Sequence, residues 1–306
     1  MDVEKYDDDL YNMQFVLDRS LKLDPARLIV VRPYDAATMK AVGIAARNGI
    51  VHPFLVGDRK RLKEETARFN IDPELFTIVD AGDDDLLERA ASLYRDGEAE
   101  FIMKGMVGTA LFMHVLLDPR WKIRTENLWC HVGMLEIPET KRVFLMSDGA
   151  INILPNFSRK MLIIKNTVEV ARKIGMRKIR IAMLAAVEKV KLPAMPATLD
   201  AFLMKKFSKT GFFGDCEIAG PFALDNAIDT GKAVAKGIVG TVAGMANVLI
   251  VPNVETGNVI WKTITCLQNR SAAGVVVGGN CPIVVPSRSD DYSTKLLSIQ
   301  FARLLL

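Results

Sequence analysis

The sequence predicts an α/β protein with largely parallel strands, divided into two lobes. Two observations carry this expectation. Short β-branched runs alternate along the chain with amphipathic segments of helical period, the pattern of strand, crossover helix and parallel strand. Near Leu128 the alternation breaks: LWCHVGMLEI and KRVFLMS read as two strands joined through the turn-prone IPETKR, an antiparallel hairpin that opens a second lobe. With 306 residues, half of them hydrophobic, the chain has enough apolar surface for two cores. The boundaries that follow are 1–126 with 280–306 for the first lobe and 127–279 for the second.

In order, a leading helix over 7–23 precedes strands at 27–31, 51–56, 76–79 and 100–103, with helical segments such as 36–48 and 83–95 between them. After the hairpin come a helix at 158–174, a strand at 178–183, a helix at 198–208, a strand at 216–219 and a helix at 223–236. A strand at 246–251, a helix at 255–267 and a strand at 272–277 follow. The last helix, 290–305, has Leu296, Leu297, Ile299 and Ala302 to bury and is expected to pack on the first lobe. Uncharged stretches at 237–254 and 271–287 approach the length of a membrane span, but Gly240, Gly244 and Pro252 interrupt one and Gly278, Gly279 and Pro282 the other. A span needs about 20 predominantly apolar residues in one helix, so buried strands and loops are the reading, with no membrane partner.

Forty Lys and Arg against thirty-six Asp and Glu leave a net charge of +4 with no long run of one sign. That balance argues against a nucleic-acid partner and suits small anionic ligands, which need only a few placed cations. Cys130, Cys216, Cys266 and Cys281 stand far apart, without a C-x-x-C pair or a Cys/His cluster for zinc, and read as reduced thiols. The acidic, amphipathic start MDVEKYDDDLYNMQF is unlike a signal peptide, so a cytoplasmic location is expected. His52, His114 and His131 lack ligand-spaced partners and are read as structural. No G-x-S-x-G elbow or G-x-x-x-x-G-K-[ST] loop is present.

Four polar-glycine segments lie where strands end and helices begin, the crevice side on which open α/β sheets place ligands. In FIMKGMVGT, Lys104 and Gly105 follow a strand, and Gly108 and Thr109 open a helix whose N–H groups attract anions. In SDGAINILP, Asp148 and Asn152 share a face if the backbone is helical, or form an Asx-type turn. In GPFALDNAID, Asp225 and Asp229 lie four residues apart on one helix, a pair that can ligate a divalent metal. Its partner NVETGNVIWK offers Gly257 for close backbone approach and Asn258 as donor and acceptor. In GGNCPIVVPSRSDDYSTK, Ser287 and Arg288 arrive where Ser289, Asp290 and Asp291 begin the last helix. An arginine there opposes the macrodipole, and such local inconsistencies mark function. Arg288 can bind phosphate through parallel hydrogen bonds, and the Ser287 hydroxyl can donate to a developing oxyanion.

Taken in order, MKGMVGTA, SDGAINILP, MPATLDA, GPFALDNA, ETGNVIWK and PSRSDDYSTKLLSI resemble the successive motifs of the phosphate acetyltransferase and phosphate butyryltransferase family, closer to the butyryltransferase branch. The resemblance implies a two-lobed α/β/α fold similar to isocitrate and isopropylmalate dehydrogenases, with mostly parallel sheets, an interdomain cleft and a homodimer or higher homo-oligomer. It implies reversible acyl transfer between coenzyme A and inorganic phosphate, with coenzyme A as substrate and no resident cofactor or metal. Ser287 and Arg288 match the family's serine-arginine pair, and Asp225 matches an aspartate of its D-G-x-x-x-x-D segment. The chain departs from that pattern at Ala219, where the family's segment usually has an aspartate, and at Thr294, where the acetyltransferases have one. Asp225 and then Asp290 are the candidate proton acceptors for the thiol. Two rival readings remain: a metal- and NAD-dependent hydroxyacid dehydrogenase using Asp225 and Asp229, and a coenzyme A or acyl-phosphate binding protein that has lost its base.

Overall fold

The computed structural model describes residues 12–137 and 142–306. The first elements are α1 (Met13–Leu17), β1 (Ala26–Val31), α2 (Ala36–Arg47), β2 (Val51–Gly57), α3 (Arg59–Arg68) and β3 (Thr77–Asp80). Then come α4 (Leu86–Arg95), β4 (Phe101–Lys104), α5 (Thr109–Leu116), β5 (Cys130–Ile137) and β6 (Arg142–Ser147). The chain continues through α6 (Phe157–Lys173), β7 (Arg180–Leu184), α7 (Pro196–Phe207), β8 (Glu217–Phe222), α8 (Leu224–Ile228) and α9 (Thr230–Ala235). It ends with β9 (Val248–Ile250), α10 (Val254–Lys262), β10 (Ala272–Val277), β11 (Ile283–Val284) and α11 (Tyr292–Leu304). The part of the expected 7–23 helix before Asn12, and the turn of the hairpin at 138–141, lie outside the described residues.

The chain forms two compact units, one of Leu17–Trp129 with Ala272–Leu306 and one built on Cys130–Ser271. In the first, the strand order is β3-β2-β1-β4-β11-β10, parallel except for the β10–β11 pair. Leu28 to Val31 and all of β4 are buried, as strands covered by helices on both faces must be, and this is why they read as continuous apolar runs. β10 belongs here, where the sequence placed it in the other lobe. It pairs with β11, and its Gly274 N–H donates to Ser298 Oγ of α11 at 3.0 Å.

In the unit of Cys130–Ser271 the order is β5-β6-β9-β7-β8, with the expected antiparallel β5–β6 hairpin and parallel pairs elsewhere. Two expected helices come out shorter. The 223–236 segment is two helices, because Asp229 turns extended and its carboxylate accepts the Lys232 N–H as the cap of α9. The 255–267 helix ends at Lys262 and widens into a π-turn over Thr263–Leu267. Among the described residues, no helix is long and apolar enough to cross a membrane.

Candidate active site

Parallel pairing sets the level at which each strand ends. Val31 of β1 is paired with Lys104 of β4, and Val284 of β11 with Met103. The three strands are neighbours, so the segments that follow them leave the sheet side by side at its carboxyl edge. One leads to Asp35 at the head of α2, one to Gly105 and α5, and one to Ser287, Arg288 and α11.

Lys104 is only 3% exposed. Its Nζ donates to the carbonyls of Gly105 at 3.2 Å and Val107 at 3.5 Å, and no carboxylate among the described residues touches it. Burial pushes its pKa down, Arg288 and Lys295 push the same way, and Asp35 and Asp290 oppose them. Gly105 is required by space: a Cβ there would stand 2.5 Å from the carbonyl oxygens of both Val31 and Arg32.

The Ser287 N–H donates to Asp290 Oδ2 at 2.8 Å, and Ser287 Oγ lies 3.0 Å from Ser289 Oγ. Arg288 is exposed and makes no hydrogen bond or ion pair among the described residues. Arg288 does not pair with Asp291, whose carboxylate caps α11 through the Thr294 N–H at 2.8 Å. Arg288 therefore precedes the cap instead of standing within the helix, and its guanidinium remains available to an anion within electrostatic reach of Lys104. Thr294 itself is buried.

In the other unit, Ser147 of β6, Ile250 of β9 and Met183 of β7 are mutually in register, and Leu184 is paired with Phe222 of β8. The SDGAIN, NVETGN and ALDN segments thus also leave the carboxyl ends of adjacent strands. Asp148 and Asn152 do not sit on a helix. Asp148, 2% exposed, accepts the N–H groups of Ala150 and Ile151 at Oδ1, and the N–H and Nδ2 of Asn152 at Oδ2, at 2.6 to 3.1 Å. The carboxylate shapes the loop that carries Asn152. Gly257 packs against this loop so closely that a Cβ would come within 2.7 Å of Gly149 Cα, whereas Asn258 is exposed on α10.

Asp225 accepts the Asn226 N–H at 2.8 Å and Lys236 Nζ at 3.3 Å. The backbone hydrogen bond first, and Lys236 after it, hold its carboxyl below the ordinary range, which makes it a weak proton acceptor. With Asp229 turned to cap α9, the two aspartates do not form the expected i, i+4 face. Among the described residues no group of three His, Cys, Asp or Glu side chains could hold a metal. Ala219 lines a cavity of about 760 Å³ together with Glu188, Lys191, Pro221 and Lys236.

Sequence reasoning passed over several buried polar groups. Lys160 pairs with Asp200 of the MPATLDA segment at 2.7 Å, and Lys295 pairs with Asp35 at 2.9 Å. The only sequence signal for Lys295 is a charge inside an otherwise apolar helical stripe.

Lys104 should titrate visibly. A small oxyanion held by Lys104 would meet its ammonium form, so anion affinity is expected to fall as pH rises through the Lys104 pKa, below the ordinary lysine value near 10.4. Titration with a small oxyanion at rising pH checks this, and Lys104→Met should bind it more weakly with that pH dependence absent.

Fold and site together define an α/β protein that gathers Lys104, Ser287 and Arg288 at the carboxyl ends of parallel strands. The sequence profile described as "Phosphate acetyl/butaryl transferase" matches residues 84–302. The phosphate butyryltransferase of Clostridium beijerinckii is 35% identical over 96% of this chain and 97% of its own. The phosphate acetyltransferase of Rhizobium meliloti is 34% identical over 92% of this chain and 89% of its own. A branched-chain phosphotransacylase from Enterococcus faecalis superposes with a TM-score of 0.80 at 27% identity, covering 92% of this chain and 99% of its own. The chain belongs to the phosphate acetyl/butyryl transferase family, whose members are acyltransferases.

Proposed function

We propose that the protein reversibly transfers a short acyl group, butyryl or a branched chain, between coenzyme A and inorganic phosphate. The observation that carries this reading is the unpaired Arg288 guanidinium in electrostatic reach of the buried Lys104, beside Ser287, in a chain of this family. The acyl preference draws on the relatives named phosphate butyryltransferase and branched-chain phosphotransacylase.

In this reading Arg288 and Lys104 hold phosphate. A phosphate oxygen forms a bond to the thioester carbon, and the carbonyl oxygen takes up the negative charge. The Ser287 hydroxyl and nearby N–H groups stabilise that oxyanion. Collapse breaks the carbon–sulfur bond and releases the thiolate, which receives by way of a carboxylate the proton that the attacking phosphate gave up. In the reverse direction the thiol loses that proton to a carboxylate. Asp290, bonded to the Ser287 N–H, suits this role better than Asp225, whose basicity is lowered. Transfer is direct, without an acyl-enzyme: Cys130 and Cys281 are buried and their thiols are pushed up to about 12, mainly by burial.

A thiol-release assay with acetyl-, propionyl-, butyryl- and branched acyl-CoA tests the proposal. Phosphate-dependent release, fastest with four-carbon or branched chains, is expected. Thermal stabilisation by coenzyme A without turnover would favour the binding-protein reading. Nicotinamide reduction abolished by a chelator would favour the dehydrogenase.

A further inference from the structure

We infer that Lys295 is a positioning residue for phosphate binding: by holding the Asp35 carboxylate at the head of α2, it keeps Lys104 free for the anion. The inference rests on the reading of Lys104 as a phosphate ligand.

Two carboxylates lie within electrostatic reach of Lys104, those of Asp35 and Asp290. Asp290 accepts the Ser287 N–H. Asp35 Oδ1 accepts Lys295 Nζ at 2.9 Å and the Thr38 N–H at 2.9 Å, while Oδ2 accepts Thr38 Oγ1 at 2.7 Å. Lys295 Nζ donates a second bond to Thr38 Oγ1 at 3.0 Å. The Lys295 side chain is 3% exposed, and an ammonium so deeply buried is costly unless paired.

The consequence is electrostatic. Lys295 and Asp35 cancel one another, so the charge left at the carboxyl ends of β4 and β11 is that of Lys104 and Arg288, offset only by Asp290. Remove the Lys295 ammonium, and the Asp35 carboxylate, a quarter exposed, is left with Lys104 as a cation in electrostatic reach. It would then pair with Lys104 and compete with phosphate from inside the protein. A purely architectural Lys295, fastening α11 to α2, predicts instead a loss of stability without selectivity between the substrates.

A double-mutant cycle separates the two. Lys295→Met is expected to raise the KM for phosphate about tenfold, or about 1.4 kcal/mol, with the KM for acyl-CoA changed less than about twofold. Adding Asp35→Asn, whose amide oxygen can still cap α2, should bring the phosphate KM back to within about threefold of the wild type. An unchanged phosphate KM in Lys295→Met, or no recovery in the double variant, overturns the inference. If Lys295→Met does not fold, the double variant still decides, since it buries no unpaired charge: a phosphate KM raised tenfold there overturns it. Lys104→Met is the control. If that variant leaves the phosphate KM unchanged, the assignment of Lys104 fails; if it raises the KM and Lys295→Met does not, only the role of Lys295 falls.

Discussion

Arg288→Ala is expected to lower turnover at least about a hundredfold, because phosphate that has lost its bidentate partner is no longer placed against the thioester carbon. The thermal midpoint should barely move. Arg288 is exposed and makes no hydrogen bond or ion pair among the described residues, so its removal strands no buried group. Arg288→Lys should recover only part of the activity, because a point charge cannot reproduce two parallel hydrogen bonds to phosphate. Steady-state thiol release with both variants, beside a thermal melt, checks the pair of expectations. Near-normal kinetics in Arg288→Ala would remove the residue from the site.

Asp148→Ala should act chiefly through stability. Its carboxylate receives four hydrogen bonds from Ala150, Ile151 and Asn152, and it is buried. Truncation strands those donors and is expected to reduce the unfolding free energy by about 3 kcal/mol. Asp148→Asn keeps acceptor capacity on one oxygen and should lose less. Urea denaturation measures both. Activity below the transition should also fall, more than about tenfold in Asp148→Ala, because the same carboxylate places Asn152 and the turn on which Gly257 packs. A stability change under about 1 kcal/mol would show that the loop keeps its shape without the carboxylate.

Much of the fold was legible because its signals are local. β1 and β4 are covered on both faces and so appear as unbroken apolar runs. The β5–β6 hairpin shows as two such runs around a turn. The helix break at Asp229 was harder, since the apolar period runs on across it. The competing signal was the aspartate itself, which caps the helix it begins. Membership of β10 could not be read locally: its place depends on pairing with β11 and on the Ser298 hydroxyl, both of which follow it in the chain.

The site divides in the same way. Sequence alone singled out Lys104, Gly105, Asp148, Asn152, Asp225, Gly257, Asn258, Ser287, Arg288 and Asp290 as candidates, because they fall in segments after strands where glycine, polar side chains and helix starts recur in a few residues. It could not say what those residues touch. That Asp148 spends its oxygens on its own loop, that Asp225 is held by Lys236, and that Lys295 reaches Asp35 across 260 residues were decided by tertiary structure. The physical reason is range. Caps and turns are settled by groups three or four residues apart, whereas the surroundings of a buried charge are set by which strands lie side by side and where their registers end.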